Sequence, residues 1–116
     1  MSCAVLLVED EFLIAMDLKS QLQAAGYPVL GPAANVEQGL ALLDKGTVCA
    51  AILDMTLQGS TSFPIAQRLA QEGTPFMFLS GNDASRLLEE FSDRIVLRKP
   101  INYPELLREL KAMCEA

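Results

Sequence analysis

Histidine is absent from this 116-residue chain, and that absence removes two kinds of chemistry. The protein cannot carry phosphohistidine, and it cannot be a histidine-ligated zinc enzyme. Basic residues are few: 9 Lys and Arg stand against 15 Asp and Glu, for a net charge of −6 with no basic cluster. Nucleic-acid binding draws heavily on phosphate contacts from Lys and Arg, so DNA and RNA are poor partners for such a domain. Long apolar runs are missing too; none approaches the roughly 20 residues of a membrane span. Met1-Ser2-Cys3-Ala4 has no basic region leading into an apolar stretch, unlike a secretory signal. The expectation is a cytoplasmic protein. Cysteine is scarce: Cys3, Cys49 and Cys114 are an odd set without metal-ligand spacing. Cys3 and Cys49 start apolar runs, where small buried thiols are common, and the three read as structural thiols rather than redox centres.

What is present is an alternation of short apolar runs with amphipathic stretches, the sequence form of an α/β parallel sheet. The length suits one core and not two, so residues 1–116 are read as one domain. Strands are expected at Ala4–Val8, Tyr27–Ala34, Val48–Asp54, Phe76–Ser80 and Ile95–Arg98. Pro28 and Pro32 argue that the second lies at an edge, while the nearly unbroken apolar third suits a centre covered on both faces. Helices are expected between them. The first runs from Glu11 to Ala25, with Phe12, Ala15, Met16, Leu18 and Leu22 inward and Gly26 as its stop. The second follows an Asn35 N-cap to about Asp44. The third follows a loop through Gly59, with Ser62 as cap and Pro64 in its first turn. The fourth covers about Ala84 to Phe91, and the fifth starts near Pro104 with Leu106, Leu107, Leu110 and Met113 inward.

Four apolar runs end in polar residues. Val5-Leu6-Leu7-Val8 leads into Glu9-Asp10, Ala50-Ala51-Ile52-Leu53 into Asp54, Phe76-Met77-Phe78-Leu79 into Ser80, and Ile95-Val96-Leu97 through Arg98 into Lys99-Pro100. Open parallel sheets bind ligands outside the carboxyl ends of their strands, so these endings converge as three carboxylates, a hydroxyl and an ammonium. Each alone has a plain structural explanation, such as a turn, a helix N-terminus or a solvated lysine; together they suit a divalent metal and a phosphoryl group. Two carboxylates about 5 Å apart repel by roughly 3 kcal/mol at an effective dielectric near 20, and Mg²⁺ would offset the crowding. Asp54 is the candidate nucleophile, since carboxylates form aspartyl-phosphate intermediates.

The pieces VLLVEDE at 5–11, AILDMTLQG at 51–59, PFMFLSGN at 75–82 and LRKPINYPELL at 97–107 make the chain resemble the receiver domain of two-component response regulators, in particular single-domain, chemotaxis-receiver-like members. The resemblance implies a flavodoxin-like (βα)5 doubly wound sandwich with parallel sheet order 2-1-3-4-5. It implies that Asp54 accepts a phosphoryl group from a sensor histidine kinase or a histidine phosphotransfer protein. It further implies Mg²⁺ held by Glu9, Asp10, Asp54 and the backbone carbonyl of Thr56, with Ser80 and Lys99 on the phosphoryl oxygens and a cis Lys99-Pro100 peptide. The family's usual signalling face, on helix four, strand five and helix five, here carries Arg86, Glu89, Glu90, Asp93, Arg98, Arg108 and Lys111, a mixture that suits a homodimer or a kinase partner. The chain would signal by conformational change or onward phosphotransfer, either as a single-domain regulator or as a piece of a longer regulator or hybrid kinase.

Two rivals are weaker. An aspartate-nucleophile phosphatase of the haloacid dehalogenase type needs a second aspartate two positions after the nucleophile, where this chain has Thr56, and generally a substrate-binding cap. A pseudo-receiver that only binds partners would usually have lost the acidic pair, the aspartate or the lysine. One departure from the common receiver pattern is Val96, at a position where many receivers carry Tyr or Phe as a rotameric switch. Valine has little reach and a stiff χ1. Activation is therefore expected to run through Ser80 and the Gly81-Asn82 loop, as in a receiver subgroup without that aromatic. Val96→Tyr should leave signalling output no stronger; a stronger output with an unchanged loop would sink the loop mechanism.

Overall fold

Val5-Leu6-Leu7-Val8 and Ala50-Ala51-Ile52-Leu53 are apolar throughout because both faces of their strands are covered. Every side chain of β1 (Val5–Val8) and of β3 (Ala50–Asp54) is buried, as helices packed on both sides of a parallel sheet require. A computed structural model of the chain describes residues 4–81 and 91–115. Its other strands are β2 (Val29–Ala33), β4 (Thr56–Leu57), β5 (Ser60–Thr61), β6 (Phe76–Ser80) and β7 (Ile95–Arg98), and its helices are α1 (Phe12–Ala24), α2 (Val36–Lys45), α3 (Phe63–Gln71) and α4 (Tyr103–Glu115). The main sheet runs β2-β1-β3-β6-β7, all parallel. With the short β4–β5 hairpin left aside, this is the order 2-1-3-4-5 expected of a doubly wound fold. The expected helix over Ala84 to Phe91 falls outside the described residues, except for Phe91.

Alternate side chains of each strand feed two cores. Leu6, Val8, Leu53, Phe76 and Phe78 pack with Leu43 of α2 and with Phe63, Ile65, Ala66 and Leu69 of α3. Val5, Leu7, Ile52, Met77 and Leu79 pack with Leu18 and Leu22 of α1 and with Leu106 and Leu110 of α4. Asn35 caps α2 as expected, its Oδ1 accepting from Gln38 N–H at 2.8 Å, and Gln38 Oε1 accepts in turn from Ala34 N–H. α4 gains a similar cap that the sequence reading passed over: Asn102 Oδ1 accepts from Glu105 N–H at 3.1 Å.

Several expectations need correction. Ser62 precedes α3 without capping it by its side chain; the buried hydroxyl instead donates to the Met55 carbonyl at 3.5 Å. The inner face of α1 is Ala15, Leu18 and Leu22. Phe12, with Leu13 beside it, lies 73% and 80% exposed, and Met16 39%. Among the described residues these side chains at the start of α1 are left open to solvent. α1 also starts without a side-chain cap. Two buried leucines at about 2 kcal/mol each outweigh a missing cap worth about 1 kcal/mol. The loop after Asp54 is a hairpin, β4 pairing with β5 around Gln58-Gly59. Cys114 is a free thiol, whereas Cys49 is disulfide-bonded rather than a buried thiol; pairing of β1 with β3 brings Cys49 N–H onto the Ala4 carbonyl at 2.9 Å. Among the described residues no helix is long and apolar enough to cross a membrane.

One irregularity positions the functional end of the sheet. Between β1 and β2 the register moves from Leu6–Leu30 to Val8–Ala33, so β2 carries one extra residue. That residue lies in Gly31-Pro32, joined by a cis peptide, and the bulge brings the Ala33 carbonyl to Glu9 N–H at 2.9 Å. Gly31 has φ 113°, and a Cβ there would sit 2.7 Å from the Leu7 carbonyl oxygen and 2.9 Å from Ala33 N. Neither neighbour can yield, because both belong to the sheet backbone. Gly31→Ala should cost roughly 3 kcal/mol or more, measured by denaturant unfolding. Gly26→Ala, at φ 94° in open space, should lose only about 1–2 kcal/mol. Equal losses at the two positions would contradict this account of the bulge.

Candidate functional site

Each polar strand ending is held by the sheet ladder continued one step past its strand. Glu9 N–H donates to the Ala33 carbonyl, Met55 N–H to Leu79 at 2.9 Å, and Lys99 N–H to Ser80 at 2.8 Å. The pairs Val8–Leu53, Asp54–Leu79 and Ser80–Arg98 set the remaining offsets. Glu9, Asp10, Asp54, Ser80 and Lys99 therefore gather at the carboxyl edge of four neighbouring strands. Lys99-Pro100 is a cis peptide.

The ammonium of Lys99 lies 3.0 Å from Glu9 Oε1, 3.3 Å from Asp54 Oδ2 and 3.4 Å from Glu11 Oε1. The Glu9 contact is an ion pair lacking hydrogen-bond alignment at Oε1, while Glu9 Oε2 accepts from Glu11 N–H at 3.0 Å. Glu9 is 2% exposed and Asp54 5%. Carboxylate oxygens of Glu9, Asp10 and Asp54 all lie within 4.8 Å of one another. Asp10 is half-buried, and its Oδ2 accepts from Gln58 N–H at 2.9 Å. Thr56 is half-buried at the start of the hairpin, paired with Thr61. Ser80 is wholly buried at the end of β6.

Burial first, then the adjoining Glu9 carboxylate, push the Asp54 carboxyl up to about 8, against the opposing pull of Lys99. Burial works against the Lys99 ammonium as well, but Glu9 and Asp54 outweigh it and leave its pKa raised. The site thus holds one firm cation and more carboxylate than that cation can neutralise. An all-oxygen donor set of this kind fits a hard divalent ion such as Mg²⁺. Glu11 and Gln58 are the participants that sequence reasoning missed. Glu11 was visible as the third acid of Glu9-Asp10-Glu11, and Gln58 as the residue before Gly59 in a turn.

Beside the site a groove of about 420 Å³ runs between α1 and α4, lined by Leu13, Ile14, Asp17, Lys99, Pro100, Ile101 and Tyr103. Tyr103 donates its hydroxyl to Asp17 Oδ2 at 2.6 Å, and burial together with that carboxylate raises its pKa. Val96 is half-buried opposite Phe78 in the sheet. Asp93, Arg98, Arg108 and Lys111 are exposed; Arg86, Glu89, Glu90 and Asn82 lie outside the described residues.

Comparison with known proteins agrees with this geometry. The family model of the response regulator receiver domain matches residues 5–111. The regulatory protein VanR of Enterococcus faecium is 28% identical over 118 residues, covering 97% of this chain and 50% of VanR, so the chain spans half the length of that relative. The solution structure of SdrG from Sphingomonas melonis is 36% identical, with a TM-score of 0.84 over 97% of this chain and 96% of SdrG. The response regulator TrrA of Thermotoga maritima, solved in complex with Mg²⁺ and BeF, is 26% identical, with a TM-score of 0.82 over 97% of this chain and 99% of TrrA. Receiver domains act in two-component signal transduction and bind Mg²⁺ at an acidic pocket. A sheet of this order, ending in these acids and this lysine, places the chain in the response regulator receiver domain family.

Proposed function

We propose that this chain is the phosphoacceptor of a phosphorelay, with Asp54 taking a phosphoryl group from a phosphohistidine on a histidine kinase or phosphotransfer protein. The observation that carries the reading is the buried Asp54 carboxylate at the end of β3, 3.3 Å from Lys99 Nζ and within 4.8 Å of two further acids. A carboxylate oxygen of Asp54 attacks phosphorus, the phosphorus–nitrogen bond of the donor breaks, and the imidazole leaves with the electron pair. Glu9, Asp10, Asp54 and the Thr56 carbonyl would hold Mg²⁺, which supplies positive charge to the phosphoryl oxygens. Lys99 pairs with carboxylates at rest and turns to a phosphoryl oxygen after transfer. Ser80 donates its hydroxyl to another. The chain acts as a stoichiometric acceptor and signals through the resulting change of shape, or passes the group onward.

The donor protein docks over the first turn of α1. Phe12, Leu13 and Met16 are the large hydrophobic side chains exposed there, and the groove beside Leu13 runs directly to Lys99. A partner covering this turn would exclude water from the transfer path while burying an apolar patch that is otherwise costly to expose.

Incubation with acetyl phosphate and Mg²⁺ should add one phosphoryl mass to the intact protein. The adduct should vanish with EDTA and in Asp54→Ala; an adduct that persists in Asp54→Ala would overturn the assignment. The raised pKa of Asp54 also predicts a pH dependence. In the unfolded chain the carboxyl loses its proton near its ordinary value of 3.8, whereas the folded chain holds it to about 8. Its contribution to stability is thus fully present below about pH 4 and is lost as pH rises through 8. In EDTA, Asp54→Asn should gain on wild type between pH 5 and pH 8.5, by about 1–3 kcal/mol. A gap between the two unfolding free energies that does not widen with pH would refute this.

A further inference from the structure

Gln58 stands at φ 46° and is the one non-glycine residue at positive φ among the described residues. Gly59 follows at φ 86°, so both centres of the two-residue turn are left-handed, the form whose twist matches a hairpin. Such a position costs an ordinary side chain about 1–2 kcal/mol. Asn or Asp lessens that cost with a short local hydrogen bond, which glutamine is too long to make in the same way. The rung Leu57–Ser60 closes the turn and leaves Gln58 N–H outside the ladder. That N–H instead reaches back 48 residues to Asp10 Oδ2 at 2.9 Å.

Asp10 needs such a partner. It stands within 4.8 Å of Glu9 and Asp54, yet Lys99 pairs with Glu9, Glu11 and Asp54, and among the described residues no ion pair is made to Asp10. Repelled by its neighbours and half open to solvent, its carboxylate would otherwise swing outward. A hydrogen bond to an ionised acceptor is about twice as strong as a neutral one. A carboxylate also has lone pairs enough to take an amide and a cation together.

We infer that the Gln58 backbone N–H is a positioning contact for the metal site, fixing Asp10 and the Thr56 carbonyl relative to each other before a cation arrives. Thr56 belongs to the same hairpin, paired with Thr61, so one hydrogen bond ties two strands' worth of ligands together. The inference rests on the reading of Asp10 and Thr56 as Mg²⁺ ligands.

The test is calorimetric Mg²⁺ titration of the full chain, beside amide spectra of ¹⁵N-labelled protein. Gln58→Gly keeps the N–H and relieves the turn, so its affinity should stay within about twofold of wild type, while Gln58→Val, β-branched at a left-handed position, should displace the N–H and weaken binding about tenfold. In wild type the Gln58 amide proton should lie downfield and shift with the same midpoint as Mg²⁺ binding. In Asp10→Ala it should move upfield, a readout that loss of stability alone does not produce. Wild-type affinity in a folded Gln58→Val, or an unmoved Gln58 amide in Asp10→Ala, overturns the inference and leaves the phosphoacceptor reading intact. A wild-type chain that takes up no Mg²⁺ overturns the inference and the metal reading together. Should Gln58→Val fail to fold, the amide comparison between wild type and Asp10→Ala decides.

Discussion

One ammonium faces three carboxylates at the end of this sheet, and much of the architecture serves to keep it there. Lys99 meets Glu9, Asp54 and Glu11 within 3.4 Å, with Asp10 close by. Left to themselves, side chains of like charge at such spacing would disperse into water, since each close pair costs roughly 3 kcal/mol. Here they are carried on backbone that cannot move independently. Parallel strands all end on one side, and ladder hydrogen bonds continue through Glu9, Met55 and Lys99. The two apolar cores on either face of the sheet provide the cohesion against which this repulsion is set. Burial first, and the adjoining Glu9 carboxylate after it, raise the Asp54 pKa, and an acidic cluster so crowded suits a hard cation.

The sheet was open to reading because its strands are buried on both faces. Phe76–Ser80 and Ile95–Arg98 lie where the apolar runs and their polar ends put them. The convergence of Glu9, Asp10, Asp54, Ser80 and Lys99 follows from strand direction alone. The first turn of α1 was harder to read. Phe12-Leu13-Ile14-Ala15-Met16 is apolar at every position, so helical periodicity cannot say which residues face inward, and the answer depends on how the helix is rotated against the sheet. The β4–β5 hairpin was invisible because two-residue strands are too short to show alternation. Ser62 resembles a cap in sequence, yet its burial beneath Met55 commits the hydroxyl elsewhere.

The exposed turn of α1 and the buried acids are complementary features of one end of the molecule. Phe12 and Leu13 project where the chain leaves the sheet, one turn from the residues that gather charge. An apolar rim beside a polar pocket excludes water from whatever is brought between them, which strengthens every electrostatic interaction inside. Tyr103 and Asp17, joined across the groove, tie α4 to α1 at that rim.

Phe63, Phe76, Phe78 and Phe91 stand with ring centres 5.5 to 5.8 Å apart, mostly edge to face, and the Arg94 guanidinium lies over Phe76 at 4.4 Å. Val96 packs against this group. Interlocked rings at interior density resist rearrangement. The block under β6 behaves as an incompressible backing plate. A displacement at the end of β6 would meet a stiff interior that transmits strain instead of absorbing it.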